Sequence, residues 1–132
     1  MAPRSIPPRS SEQNALRLVY GRTGLLPSRW RLSKERIRLH LQQVELAERM
    51  VPPIRAETLC RYETGKYDLH LGVATRAAKA MECDLGALLV GTVAELEFED
   101  ACRDEWLTLG RPGDVDAMEL IEASMRSRCG VG

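Results

Sequence analysis

The chain has 132 residues, no formal net charge and an apolar share of 44%, which suits one domain with tails and supplies enough apolar material for a core. No long apolar run marks a membrane span and the basic N-terminus lacks a signal peptide's apolar centre, so a cytoplasmic protein is expected. Cys60, Cys83, Cys102 and Cys129 stand far apart, without a C-x-x-C and with only His40 and His70 to assist; a zinc site or disulfide framework is disfavoured, and no metal or cofactor is expected.

Met1 to Ser11 carries Pro3, Pro7 and Pro8 with Arg4 and Arg9, a composition that favours an extended arm, either without a defined role or suited to a minor groove. Glu12 to Tyr20 reads as a short helix capped by Ser11, with Leu16, Val19 and Tyr20 apolar, interrupted by Gly21, Gly24 and Pro27. Charge is segregated along the chain. Up to Lys34, seven basic residues stand against Glu12 alone, whereas from Glu95 onward ten acids stand against four arginines. A neutral total therefore does not argue against a polyanionic partner, because the cations near phosphates are what count.

The next helix is expected from about Ser28 to His40. In LQQVELAERM, Leu41, Val44, Leu46, Ala47 and Met50 recur at helical spacing, with Gln42, Gln43, Glu45, Glu48 and Arg49 on the other face. In RAETLCRYETGK, Leu59 and Tyr62 are the core contacts, Ala56, Glu57, Cys60, Arg61 and Thr64 point outward, and Gly65 ends the helix in the left-handed conformation. Two short helices joined by a tight turn suggest a helix-turn-helix, whose second helix enters a DNA major groove. Helices are expected again over Leu71 to Met81 and over about Asp84 to Leu89, with Asp84 as N-cap. Leu32, Ile37, Leu39, Leu46, Met50, Leu59, Ala74, Ala77, Ala78, Met81, Leu85, Leu88 and Leu89 are the expected core, and Cys83 a buried, inert thiol.

The run RLSKERIRLHLQQVELAERM resembles the lambda-type phage repressor and Cro (XRE-like) class, through Arg31, Leu32, Arg36, Leu41, Gln43, Glu45, Leu46 and Ala47. TLCRYETGK and LGVATRAAKAMECDLGALL are similar to the same family's third helix and closing segment. The departure is VPPI, Val51 to Ile54, which lengthens the turn by about two residues and bears on the approach angle of the second helix. The resemblance implies an all-α, five-helix lambda-repressor-like domain. It also implies that Arg36 and Glu63 pair between the first and third helices, since a charge on a core-facing side is costly without a partner. Gln43 would bond phosphate and brace the third helix. Arg55, Ala56, Glu57 and Arg61 fall on base-contacting positions, and Thr64, Lys66 and Tyr67 lie beside the duplex backbone. Gln42, Thr58 and Cys60 complete the expected DNA-facing set. Arg61 has the geometry for two parallel bonds to guanine; Glu57 suits a cytosine amino group or, equally, a pair with Arg61 one turn on.

After Leu89 the resemblance stops. Val93, Leu96, Phe98, Ala101, Cys102, Trp106 and Leu109 suggest a helix, broken by Gly110 to Gly113; Asp114 then caps a last helix with Val115, Met118, Ile121 and Met125 on one side. Leu96, Phe98, Trp106, Met118 and Ile121 are expected to form a dimer interface, the alternative being that these helices fold back on their own subunit. Their acidic outer faces suit a positively charged protein or the basic arm. The expected organisation is a basic extension over residues 1–28, a helix-turn-helix domain over 29–91 and an acidic helical extension over 92–132. No enzymatic constellation is recognisable. The expected function is a sequence-specific transcriptional regulator, a repressor, bound to double-stranded DNA as a homodimer. Alternatives are the antitoxin of a toxin–antitoxin pair and a module that contacts RNA polymerase or another protein.

Overall fold

The computed structural model describes residues 25–129; the arm and the helix expected over Glu12 to Tyr20 lie outside them. Helix α1 (Arg29–Arg38) begins where Ser28 leaves extended backbone and its side chain accepts the Arg31 N–H, satisfying one of the amides that a helix start leaves without a partner. Just ahead of it, Leu26–Pro27 (β1) pairs antiparallel with Leu89–Val90 (β2), Leu26 opposite Val90 and Pro27 opposite Leu89. Between the two strands run α2 (Gln43–Arg49), α3 (Ala56–Thr64), α4 (Leu71–Met81) and a 3-10 turn over Leu85–Leu88; α5 (Val93–Thr108) and α6 (Val115–Cys129) follow. The architecture is mostly helical, and none of the described helices is long and apolar enough to cross a membrane.

Several local expectations are corrected. The helix over Asp84 to Leu89 is a single 3-10 turn, because Leu89 must be extended to pair with β1; Asp84 holds the N-cap position without a side-chain bond. Leu39 is exposed, since α1 has ended and the chain reverses through His40 at φ 58°. Val44 is also exposed, and Leu85 only half-buried. Cys83 is half-buried, and burial pushes its thiol above the ordinary value, which disfavours the reactive thiolate.

Two apolar clusters share α1 as a wall. On one side Leu32 packs with Leu46, Met50, Leu59, Ala77, Met81 and Leu88 of the helices that follow. On the other, Trp30 and Ile37 pack with Cys102 and Trp106 of α5 and with Met118 and Ile121 of α6. The two indoles meet edge to face, with centroids 6.2 Å apart, the arrangement that suits aromatic quadrupoles. Both indole N–H groups are satisfied: Trp30 donates to Glu122 at 2.6 Å and Trp106 to the Pro112 carbonyl at 2.9 Å.

The interface between chains expected at Trp106, Met118 and Ile121 is therefore corrected. These side chains are buried inside one chain because Trp30 supplies the apolar partner they need, and half-buried Phe98 packs on the same cluster. Leu96 is half-buried on α5. The helices after Leu89 fold back on their own subunit.

The charges segregated along the sequence meet in the fold. Arg31 bonds Glu95 at 3.1 Å and Glu99 at 3.0 Å, Lys34 bonds Glu122 at 3.0 Å, and Arg29 lies 3.6 Å from Asp100. Glu99, almost buried, also accepts from the Ser28 hydroxyl at 2.6 Å. Three basic residues counted above toward a polyanionic partner are thus engaged by α5 and α6.

Candidate nucleic-acid interface

Helix α2 starts with the Gln42 N–H donating to the Glu45 carboxylate at 2.7 Å, and buries Leu46 and Ala47 beneath it. The lengthened turn after it is fixed at both ends. The Ile54 N–H donates to the Ala47 carbonyl at 3.2 Å, and Arg76 of α4 donates to the Pro52 carbonyl at 2.7 Å. Val51, at the tip, is 82% exposed. Helix α3 then turns Leu59 and Glu63 inward. It stops at Gly65, whose φ of 94° a side chain would resist, and the Tyr67 N–H closes the end on the Arg61 carbonyl at 3.0 Å.

A buried polar junction sets the position of α3. Arg36 Nε donates to Glu63 Oε2 at 2.8 Å and Arg36 Nη2 to Glu63 Oε1 at 2.9 Å, while Arg36 Nη1 donates to the Leu41 carbonyl at 2.9 Å. Gln43 Nε2 adds a second donor to Glu63 Oε1 at 2.9 Å. Glu63 is 1% and Arg36 7% exposed, so both charges depend on these bonds in place of water. Gln43 therefore ties α2 to α3 with the amide nitrogen.

The outward face carries the other sequence-derived residues. Arg55, Glu57, Arg61, Lys66 and Tyr67 are exposed, as is Gln42 on α2; Ala56, Thr58, Cys60, Thr64 and Gln43 are half-buried. Arg61 leans toward the loop that follows, its Nη1 donating to the Tyr67 hydroxyl at 3.1 Å and its guanidinium 5.7 Å from the centroid of that ring. Such an exposed contact is readily exchanged for another acceptor. Helices α2 and α3 and the loop after α3 thus expose guanidiniums, an ammonium, a carboxylate and an amide, a donor-rich set able to meet phosphate oxygens and base edges.

Sequence reasoning missed the residues that hold the far end of α3. Arg29 of α1 donates to the Tyr62 carbonyl at 3.2 Å and the Tyr67 carbonyl at 3.3 Å. Arg103 of α5 lies so close beneath Gly65 that a Cβ there would sit 2.7 Å from its Nη1. Asp100 lies between the two guanidiniums, 3.6 Å from Arg29 and 3.7 Å from Arg103. Burial pushes its carboxyl above the ordinary value against the pull of both arginines, and burial likewise lowers Arg29 against the pull of Asp100. From the loop between α5 and α6, Arg111 reaches Cys60 Sγ at 3.6 Å. None of these arginines stands at a motif spacing, so the only sequence signal for this bracing was the charge asymmetry itself. No protein-family model, curated protein or solved structure matches the chain.

Proposed function

We propose that the chain is a sequence-specific DNA-binding transcriptional regulator of the lambda-type helix-turn-helix class, which sets α3 in the major groove and represses by occupying promoter DNA. The observation that carries this is the two-sidedness of α3: its inner Glu63 is locked to Arg36 and Gln43, and its outer side presents Arg55, Glu57 and Arg61. Locking the backbone lets exposed side chains meet base edges in one register, which is what discrimination between sequences requires. Arg61 is the residue assigned to guanine, leaving Tyr67 to do so. Lys66 is assigned to phosphate. Two chains on a palindromic site would place their α3 helices about one helical turn apart.

Genome-wide crosslinking supplies the operator, and binding isotherms at several salt concentrations on operator and scrambled duplexes supply the test. Arg61→Ala should cost about 1–3 kcal/mol on the operator and relax preference at one base pair of each half-site. Lys66→Ala should weaken both duplexes alike and flatten the salt dependence by about one counterion per site. An operator-to-scrambled ratio untouched by Arg61→Ala removes α3 as the reader, and an absence of enriched DNA turns the same surface into a contact for RNA polymerase or another protein.

A further inference from the structure

Helix α6 spends its inner side on its own chain, burying Met118 and Ile121 and bonding Trp30 and Lys34 through Glu122. Its outer side does not end in a polar surface. Leu120 is 71% exposed, and with Ala117 and Ser124 it lines a shallow apolar groove against Leu109, 57% exposed, and Pro112. Large aliphatic side chains this open, side by side, mark a contact surface more than a solvated one.

The charges around the groove say what covers it. Asp114 just ahead of α6 and Asp116 and Glu119 on its first half are exposed, as are Arg126 and Arg128 on its second. A uniformly acidic or basic partner would match one half and oppose the other. A second α6 laid antiparallel matches both, with Leu120 near the crossing point, and places opposite helix dipoles side by side. Glu119 and Arg126 are seven residues apart and so share a flank of the helix; across a two-fold axis each faces the other's counterpart. Their present contacts do not oppose this. Glu119 lies 3.9 Å from half-buried Lys34 and Arg128 3.8 Å from half-buried Glu105, long pairs whose α6 members are exposed, and Arg126 rests on the Phe98 ring at 4.4 Å while remaining exposed.

We propose that this outer face of α6 is the contact between two copies of the chain, joined antiparallel through Leu120 and the oppositely charged halves. It gives the regulator proposed above the two-fold pairing its operator needs, yet its test does not involve DNA. Sedimentation equilibrium of the full chain at tens of micromolar should show a dimer. Glu119→Arg alone and Arg126→Glu alone should each weaken it by about tenfold or more, and the two together should restore it to within about threefold of the original. Leu120→Asp should give a monomer whose thermal melt matches that of the parent diluted until it too is monomeric, since nothing buried is touched. A monomeric parent chain, single reversals without effect, or a double reversal that fails to recover would overturn the interface. Operator discrimination by such a monomer would leave DNA reading intact, and a dimer without discrimination would remove DNA reading alone.

Discussion

Replacing Glu63 by alanine leaves the buried Arg36 side chain with only the Leu41 carbonyl of its former partners, and deprives the Gln43 amide of its acceptor. Removing one member of a buried ion pair costs about 3–5 kcal/mol, because the other charge must stay in the interior or drag water in with it. Against a total stability of about 5–15 kcal/mol that is a large share. At roughly 4 °C per kcal/mol for a chain of this size, the melting temperature should fall by about 12–20 °C. Replacing both residues together, Arg36→Met with Glu63→Met, roughly keeps the volume and removes both charges, so it should cost much less than the single change. Thermal and urea melts of the parent, the single and the double variant decide it. If Glu63→Ala and the double variant lose the same amount, the junction acts by packing and not by charge, and the account of how α3 is held is wrong.

Gly65→Ala forces a side chain into the left-handed region and onto Arg103, 2.7 Å from the new Cβ; it should destabilise by about 1–3 kcal/mol, and a loss under about 0.5 kcal/mol in urea melts would refute the close approach. The Asp100 carboxyl is held above its ordinary value by burial, so its contribution to stability is complete below the ordinary aspartate range and lost as pH rises through the raised folded value. The stability of Asp100→Asn relative to the parent should therefore climb with pH across that window, and a difference that falls would mean that Arg29 and Arg103 outweigh burial.

Much of the half from α1 to α4 was legible because its information is local or regularly spaced. The apolar period gave α2 and α4, Gly65 marked the end of α3, and the pairing of Arg36 with Glu63, which the family resemblance implies and the cost of an unpaired core-facing charge supports, is met. The second apolar cluster was not legible. Trp30 and Trp106 are too far apart in the chain for any periodicity to link them, so Trp106 read as an exposed aromatic in want of a second subunit. The two-residue strands that clasp Leu26–Pro27 to Leu89–Val90 are too short for an alternating pattern. The charge asymmetry was visible, but its cause was misassigned. Its acids on α5 and α6 answer bases on α1 a short distance away in space, as the bonds of Arg31 to Glu95 and Glu99 show.

Helix α1, placed between the two clusters, has a consequence for how the molecule comes apart. Trp30 and Ile37 need α5 and α6 for cover, while Leu32 and Arg36 on the same ten-residue helix hold the other half together. Shedding the last two helices would open one side of α1 to water, and fraying α1 would release both clusters together. The halves should therefore unfold as one cooperative unit, with amide protons of α1 exchanging only through global unfolding. A cell seeking to inactivate such a molecule by partial melting or by clipping its C-terminal helices would not leave a smaller working piece behind; it would feed the whole chain to its proteases.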